Sequence, residues 1–565
     1  MILLPEKYLP SILQRQTYIF LFFSFLFFIL ICRLLYLQVY CQEYYEKQAF
    51  QQHWKKQTLE APRGSILDRH GVVLAMSVPS FSCHANPRLI QNPDKTATIL
   101  SKIFSLSKET ILSSITHPKR RFVWIKRKIS SKEKELVEKE KISGIGFVEE
   151  QKRVYPHQHL ASHILGFADI DQKGLEGIEL TFQSELAGQD GFQWTLKDGR
   201  TRQHRILLPD APTQKMVLGI DVYLTLDIRM QAIVEKELDD VMEKYKALGA
   251  ACVLLDVNTA EVLALSSRPT FNPNVYQKSP RENWRNKAIS DAFELGSVMK
   301  PLIVAAGLAE KKVSPQTIID CGPGWCRIIP GRTLRDSHPC GKISVEEVLI
   351  QSSNIGSAKI GMILGKQKLY AYLSSLGFGK KTNIELQGES IGILKTPEKW
   401  SDFTLTSVPM GHEITATPLQ MTAAYLTLAG DGIYRKPSII HKIQYKDGTC
   451  LYKEPPSEYL QIFPPSLLPK MREILHAVVQ KGTARRANIK ELSIAGKTGT
   501  AQKIVNGQYS HSKHIAVFVG FAPADNPAYC ALVMVDEPQG ASYGGTVSAP
   551  VVTNILKHCC YYAKQ

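Results

Sequence analysis

Apolar residues are spread unevenly along the chain, and the longest run comes first. Thr17 to Cys32 holds no charged residue and is dominated by Phe, Leu and Ile. With Arg33 able to snorkel and Leu34-Leu35-Tyr36-Leu37 continuing, the stretch reaches the roughly 20 residues needed to cross a bilayer, and a span over 17–38 is predicted. A removable signal peptide would have a shorter apolar core followed by a small-residue cleavage site, and no such site follows. Lys7 and Arg15 precede the span, which assigns residues 1–16 to the cytoplasm and everything after about residue 40 to the outside.

Beyond the span the pattern breaks into shorter elements. Val39 to Gln57 mixes polar and aromatic residues and suits a helix leaving the membrane. Ala61 to Gly71 reads as strand and turn, with Asp68 and Arg69 available for pairing. Dense mixed charge from Lys119 to Lys152 predicts an exposed helix, a solvated face or a partner surface. Residues 153–179 carry turn residues and short apolar runs but no catalytic constellation, so 39–215 is expected to be a non-catalytic spacer, with a boundary near Pro209 to Gly219. Asp221 to Asp227 alternates like a strand, and Ile228 to Tyr245 has helical spacing. Ala250 to Asp256 and Ala260 to Leu265 form two strands joined by Val257-Asn258-Thr259. Ile515 to Phe521 and Ala528 to Val535 are two more, with a last helix from about Pro550. Strands at both ends of this region must share one antiparallel sheet with helices packed on it, giving an α+β class and a single catalytic unit over 216–565.

Composition fits that picture. A chain of 565 residues exceeds one ordinary domain, and 44% apolar against 21% charged residues is globular. A net charge of +17 would ordinarily raise nucleic acid as a partner, but a body outside the membrane excludes it. A basic surface there meets anionic lipid heads or an anionic polymer, or is simply solvated. Eleven cysteines are too few for a disulfide-built scaffold of this length. Cys321, Cys326 and Cys340 cluster with His338 nearby, without the paired short gaps of a structural zinc site. Both a disulfide between two of them and buried free thiols are open. Cys559-Cys560 suggest no role.

The candidate chemistry begins at Phe293-Glu294-Leu295-Gly296-Ser297-Val298-Met299-Lys300-Pro301. Positions i and i+3 share a helix face, so the Ser297 hydroxyl and Lys300 amine can meet. A lysine with a lowered pKa can take the proton that makes serine a nucleophile. Pro301 belongs in a first helical turn, which sets Ser297 at a helix N-terminus whose free N–H groups favour an oxyanion. The spacing alone is common, for Ser105-x-x-Lys108, Ser131-x-x-Lys134 and Ser510-x-x-Lys513 also fit it. Order singles out the first: Ser352-Ser353-Asn354 and then Lys497-Thr498-Gly499-Thr500 follow. Ser-x-x-Lys, Ser-x-Asn and Lys-Thr-Gly in that order are the signature of penicillin-binding proteins and class A β-lactamases. Asn354 offers both a carbonyl acceptor and an amide donor. Gly496 and Gly499 let a substrate backbone approach an edge strand, and period-two alternation sets Thr498 and Thr500 on one face. Their hydroxyls and the Lys497 ammonium can hold a terminal carboxylate, while the Thr500 and Ser297 N–H groups make a two-donor oxyanion hole.

With these motifs, the single anchor, Arg63-Gly64-x-Ile66-x-Asp68-Arg69, Gly174-Leu175-Glu176-Gly177, Thr417-Pro418-Leu419-Gln420 and Tyr543-Gly544-Gly545, the chain resembles a class B penicillin-binding protein. Asp536-Glu537-Pro538 leans the resemblance toward the septal, cell-division type, penicillin-binding protein 3. It implies a β-lactamase-like transpeptidase domain on an elongated pedestal, a single-pass inner-membrane protein, and a D-Ala-D-Ala transpeptidase without cofactor or metal. Ser297 would be the nucleophile, Lys300 the base, Ser352 a proton shuttle and Asn354 a positioner, with Lys497, Thr498, Gly499 and Thr500 holding the substrate. Implied partners are peptidoglycan stem peptides, β-lactams and division-complex proteins including a glycosyltransferase. An elongation-type transpeptidase and an inactive β-lactam-binding scaffold or sensor are the alternatives. Two positions depart from the family pattern: Leu295 stands where proline is usual, and His412 interrupts an expected Gly-x-Gly-like turn.

Overall fold

The computed structural model describes residues 9–117, 120–197, 205–206, 213–451, 459–505 and 508–563. They form two compact units: residues 1–61 with 189–217, and residues 62–188 with 218–565.

In the first unit, Leu9–Leu35 is one helix that passes through a single π-helical turn at Tyr36–Tyr40. From Leu13 to Tyr40 no part of this apolar length is buried against protein, which is costly in water but suits a bilayer. A second helix, Gln42–His53, stops short of the expected Gln57. Trp54–Leu59 instead runs antiparallel to Gly191–Lys197, Trp54 opposite Leu196 and Leu59 opposite Gly191. Pairing across these strands outweighs local helix propensity there, and Phe50 packs its ring on Trp194 at 4.9 Å. Of the expected boundary, residues 209–212 lie outside the described residues.

The second unit is built on two sheets. In a seven-stranded sheet the short strand Ile66–Leu67 lies parallel to Asp221–Leu224, Ile66 opposite Val222, and antiparallel to Val73–Ala85. Asp68 closes the turn by accepting the N–H groups of His70 and Val72, both at 2.8 Å, and Arg69 reaches Glu261 at 3.3 Å. The expected exposed helix over 119–152 is not there. Val123–Ile129 and Ile145–Val154 are strands on either side of Val73–Ala85, joined through the short helix Ser131–Lys139. Their charges are spent across the strands: Glu150 meets Arg127 at 3.1 Å and Lys128 at 3.0 Å, and Arg127 also reaches Asp171 at 2.7 Å. Mixed charge marks a laddered sheet face here as readily as a helix.

Below this lies Glu179, fully buried, with Arg63 Nε at 2.5 Å, Arg153 Nε at 2.6 Å and the Tyr155 hydroxyl donating at 3.1 Å. Burial alone would raise its pKa, but the two guanidiniums overcome that and hold it below the ordinary 4.5.

The second sheet has five antiparallel strands, in the order Val262–Arg268, Gly249–Asp256, Tyr529–Asp536, Gln508–Ala522 and Ala495–Val505. Early and late strands thus meet, Gly249 opposite Asp536. Val262–Arg268 is buried at every position, so both faces of the sheet are covered. Helices Ile228–Tyr245 and Gly544–Tyr562 pack against each other and on the sheet. The last helix starts six residues before the expected Pro550, which sits inside it. Proline cannot donate to the carbonyl four residues back, and the Tyr245 hydroxyl takes over the freed Thr546 oxygen at 3.3 Å. All eleven cysteines are free thiols, Cys321 buried and Cys326 and Cys340 half-buried.

Glu179→Ala leaves two buried guanidiniums without their carboxylate and is expected to lower stability by about 3–5 kcal/mol, measured by denaturant unfolding of the purified chain. Because the folded pKa of Glu179 is depressed, its contribution is full above about pH 4.5 and is lost as pH falls below that value. The wild type should therefore lose more stability between pH 5 and acid than the variant does.

Candidate active site

Gly296–Met299 forms one 3-10 turn that runs directly into the helix Lys300–Ala309, with Pro301 in its first turn. The turn is locked from two sides. Gly296 donates its N–H to the Gly411 carbonyl at 3.1 Å, and both residues have positive φ, +56° and +83°. A Cβ on Gly411 would lie 2.2 Å from the Gly296 oxygen, so only glycine fits there. From beneath, the buried Tyr425 on the helix Pro418–Ala429 donates its hydroxyl to the Val298 carbonyl at 2.7 Å.

Lys300 points into the protein and is fully buried. Its amine lies 2.6 Å from the Ser352 carbonyl oxygen, 2.8 Å from Asn354 Oδ1 and 3.3 Å from Ser352 Oγ. An ammonium has three N–H donors, and the two carbonyl oxygens and the Ser352 hydroxyl oxygen give it three acceptors. Burial pulls the Lys300 pKa to about 7, against the opposing charges of Asp336 and Cys340. Lys497 is equally buried and donates to the other side of Ser352 Oγ at 2.9 Å. Burial first, and then the Lys300 charge, hold its pKa well below the ordinary lysine value. Ser352 itself has φ +61°, an uncommon conformation for a residue with a side chain. That geometry turns its carbonyl and its hydroxyl toward the same amine.

The helix Asn354–Leu364 holds the second motif in place. Its N-cap, Ser353, accepts the Gly356 N–H at 2.9 Å and donates to Asp336 Oδ2 at 2.6 Å. Asp336 Oδ1 accepts the N–H groups of Asn354 and Ile355 at 2.5 and 3.1 Å, a carboxylate where the helix dipole favours one. Asn354 Nδ2 donates to the Arg335 carbonyl at 3.0 Å, so the Asn354 amide is fixed at both ends.

Lys497, Thr498, Gly499 and Thr500 lie on Ala495–Val505, the outermost strand of the five-stranded sheet. Thr498 Oγ1 pairs with Thr483 Oγ1 at 2.8 Å, and Thr500 Oγ1 accepts the Gly544 N–H at 3.2 Å. A Cβ on Gly296 would come within 3.2 Å of the Thr500 oxygen, and one on Gly499 within 3.0 Å of Val298 Cγ1, so the Ser297 turn lies directly against this strand. The structure therefore brings Ser297, Lys300, Ser352, Asn354, Lys497, Thr498, Gly499 and Thr500 to one place. The expected direct contact between Ser297 and Lys300 is not made: among the described residues nothing hydrogen-bonds the half-buried Ser297 hydroxyl, and Lys300 is engaged with Ser352 and Asn354.

Asp336, Thr483 and Tyr425 belong to none of the sequence motifs, and Gly411 enters them only through the Gly-x-Gly-like turn that His412 interrupts. His412 also finds a place, its Nδ1 2.7 Å from Glu294 Oε2, with the Tyr509 hydroxyl on the same carboxylate at 3.0 Å. Burial would raise the Glu294 pKa, but these hydrogen bonds bring it down.

Comparison with known proteins fits this geometry. Residues 250–557 match the family described as the penicillin binding protein transpeptidase domain, and residues 58–224 match the penicillin-binding protein dimerisation domain. The chain belongs to the penicillin-binding protein transpeptidase family. It is 32% identical to the peptidoglycan D,D-transpeptidase FtsI of Escherichia coli K12 over 93% of this chain and 88% of the relative. It is likewise 32% identical to the probable peptidoglycan D,D-transpeptidase PenA of Neisseria meningitidis, over 96% of this chain and 91% of PenA. Among solved structures it resembles penicillin binding protein 3 of Mycobacterium tuberculosis complexed with aztreonam, with TM-score 0.71 and 27% identity over 90% of this chain and 97% of that one.

Tyr425→Phe removes the hydroxyl that donates to the Val298 carbonyl and strips that buried acceptor of it; a loss of about 1–3 kcal/mol in denaturant unfolding is expected. Unchanged stability would mean that the turn is held from elsewhere.

Proposed function

We propose that this chain is a peptidoglycan D,D-transpeptidase that cross-links stem peptides through an ester on Ser297, during septal wall synthesis. The observation that carries this reading is the Ser352 hydroxyl held between the buried amines of Lys300 and Lys497, beside the Ser297 turn and an open strand edge. Two amines of lowered pKa sharing one hydroxyl make a proton relay and little else. The relatives named peptidoglycan D,D-transpeptidase FtsI and PenA support the reaction.

The steps follow from the positions. A peptide ending in D-Ala-D-Ala adds to the outer edge of Ala495–Val505, the end strand of its sheet, with its carboxylate at Thr498, Thr500 and the charge of Lys497. Ser297 Oγ attacks the carbonyl of the penultimate residue, and its proton passes to Lys300 once that amine turns from Ser352 and Asn354 toward it. The oxyanion that forms is held by the N–H groups of Ser297 and Thr500. Collapse expels the terminal D-Ala, whose nitrogen takes the proton from Lys300 through Ser352. An amine of a second stem peptide then attacks the ester, loses a proton along the same relay and restores Ser297. Gly499 admits the substrate backbone, and Asn354 positions both Lys300 and the peptide. A β-lactam would acylate Ser297 and remain. The N-terminal helix anchors the protein in the inner membrane, residues 1–16 in the cytoplasm and the catalytic unit outside, where it meets division-complex partners that include a glycosyltransferase.

Covalent labelling by a fluorescent penicillin, mapped by mass spectrometry, tests the reading: the adduct should lie on Ser297 and vanish in Ser297→Ala. Labelling at another residue would refute it. Lys300→Arg, a base that stays protonated, should slow acylation about 10²–10⁴-fold. Since Lys300 must be neutral to act and its pKa is about 7, acylation should rise with pH up to about 7 and level above it. A flat profile between pH 5 and 8 would exclude Lys300 as the base. A fluorescent fusion concentrated along the side wall rather than at midcell would overturn the septal assignment.

A further inference from the structure

Trp325–Ile329 and Arg332–Arg335 form an isolated two-stranded ribbon immediately beside the site. Its two faces differ sharply. Cys326 and Leu334, opposite each other, face inward, Leu334 buried and Cys326 half-buried against the core. Trp325 opposite Arg335, and Arg327 opposite Thr333, face outward, and all four are exposed. Trp325 leaves 57% of its surface in solvent. Trp325, Thr333 and Arg335 of the outward face line an open groove of about 570 Å³ together with His338 and Pro339, and Arg327 lies next along the same ribbon face. An exposed tryptophan with one guanidinium in its groove and a second on the same face is a platform for a ligand that is part apolar and part anionic.

The groove is continuous with the catalytic groups. Asp336, which lines it, caps the helix that starts at Asn354, and the Arg335 carbonyl accepts the Asn354 amide whose oxygen meets Lys300. It thus begins where Asn354 ends, on the other side of that residue from Lys300.

We infer that the outward face of this ribbon, Trp325, Arg327 and the Arg335 side chain, is the docking site for the acceptor stem peptide, the second chain whose amine resolves the Ser297 ester. This rests on the proposed transpeptidase reaction and deepens it. The strand Ala495–Val505 is taken by the donor peptide, so the acceptor needs a surface of its own. An acceptor peptide carries a carboxylate at its own C-terminus as well as its amine. The guanidiniums hold the carboxylate and the indole covers the aliphatic side chains, leaving the amine free to reach the ester past Asn354.

The test uses the full chain in detergent, with a D-Ala-D-Ala-terminated donor peptide and increasing amounts of a carboxylate-bearing acceptor amine, and follows cross-linked against hydrolysed product. Fluorescent penicillin acylation is measured in parallel. Trp325→Ala and Arg327→Glu should each raise the acceptor concentration needed for half-maximal cross-linking several-fold and shift product toward hydrolysis, with the acylation rate unchanged. Trp325→Phe, which keeps a flat ring, should stay near wild type and guards against a folding defect. Acceptor dependence identical to wild type in Trp325→Ala and Arg327→Glu would overturn the assignment. So would a parallel fall in acylation and cross-linking, which would make the ribbon a donor surface. Failure of penicillin to label wild-type Ser297 would strike the transpeptidase reading first and take the acceptor site with it.

Discussion

Two amines buried without a carboxylate in contact cannot both carry a proton at ordinary cost, and this constraint organises the catalytic unit. Lys300 and Lys497 belong to elements almost 200 residues apart (497 minus 300), yet both end on the Ser352 hydroxyl. Burial lowers the pKa of both, and for Lys497 the Lys300 charge adds to it. Asp336 lies close enough to temper the burial of Lys300, yet its oxygens are committed to the Asn354 helix. The arrangement holds a desolvated amine on neutral oxygens rather than in a salt bridge, a condition that an exposed lysine does not meet.

What holds the amines there is mostly backbone. The left-handed turn at Ser352, the paired glycines 296 and 411, and the contact of the Ser297 turn with Gly499 are close approaches that leave no room for other conformations. Gly544 extends the same logic: a Cβ on it would lie 2.4 Å from the Gly499 oxygen, so the start of the last helix packs directly against the Lys-Thr-Gly strand and donates to Thr500. Motions of that helix and that strand are coupled by contact rather than by a chain of side chains.

Much of this was legible in the sequence because the signals were local. Apolar runs identified the strands around 250, 515 and 530, alternation the one at Asp221, helical spacing marked Ile228 to Tyr245 to the residue, and the order of three short motifs predicted the residues that converge. Failures came where the deciding partner was far away in the chain. Lys119 to Lys152 reads as a charged helix because its strands are set by pairing with Val73–Ala85, some 50 residues upstream (123 minus 73). Pro550 looked like a helix start because the Tyr245 hydroxyl that relieves it is some 300 residues upstream. Asp336 and Thr483 have no motif of their own; they act through what they touch. The Ser297-to-Lys300 spacing was right for a shared face but silent on the pull of Ser352 and Asn354, which draw the amine elsewhere.

The five-stranded sheet has an implication for how the molecule comes into being. Gly249–Asp256 and Val262–Arg268 are made first and wait until the chain has grown past residue 495 for the three strands that complete the sheet. During that interval Gly249–Asp256 presents an uncovered apolar edge, and the two buried amines on Ser352 are not yet together, since Lys497 has yet to be translated. The nascent chain is therefore aggregation-prone until Gly544–Tyr562 closes over the late strands; a fragment ending before residue 495 would carry the Ser297 turn without the strand it lies against.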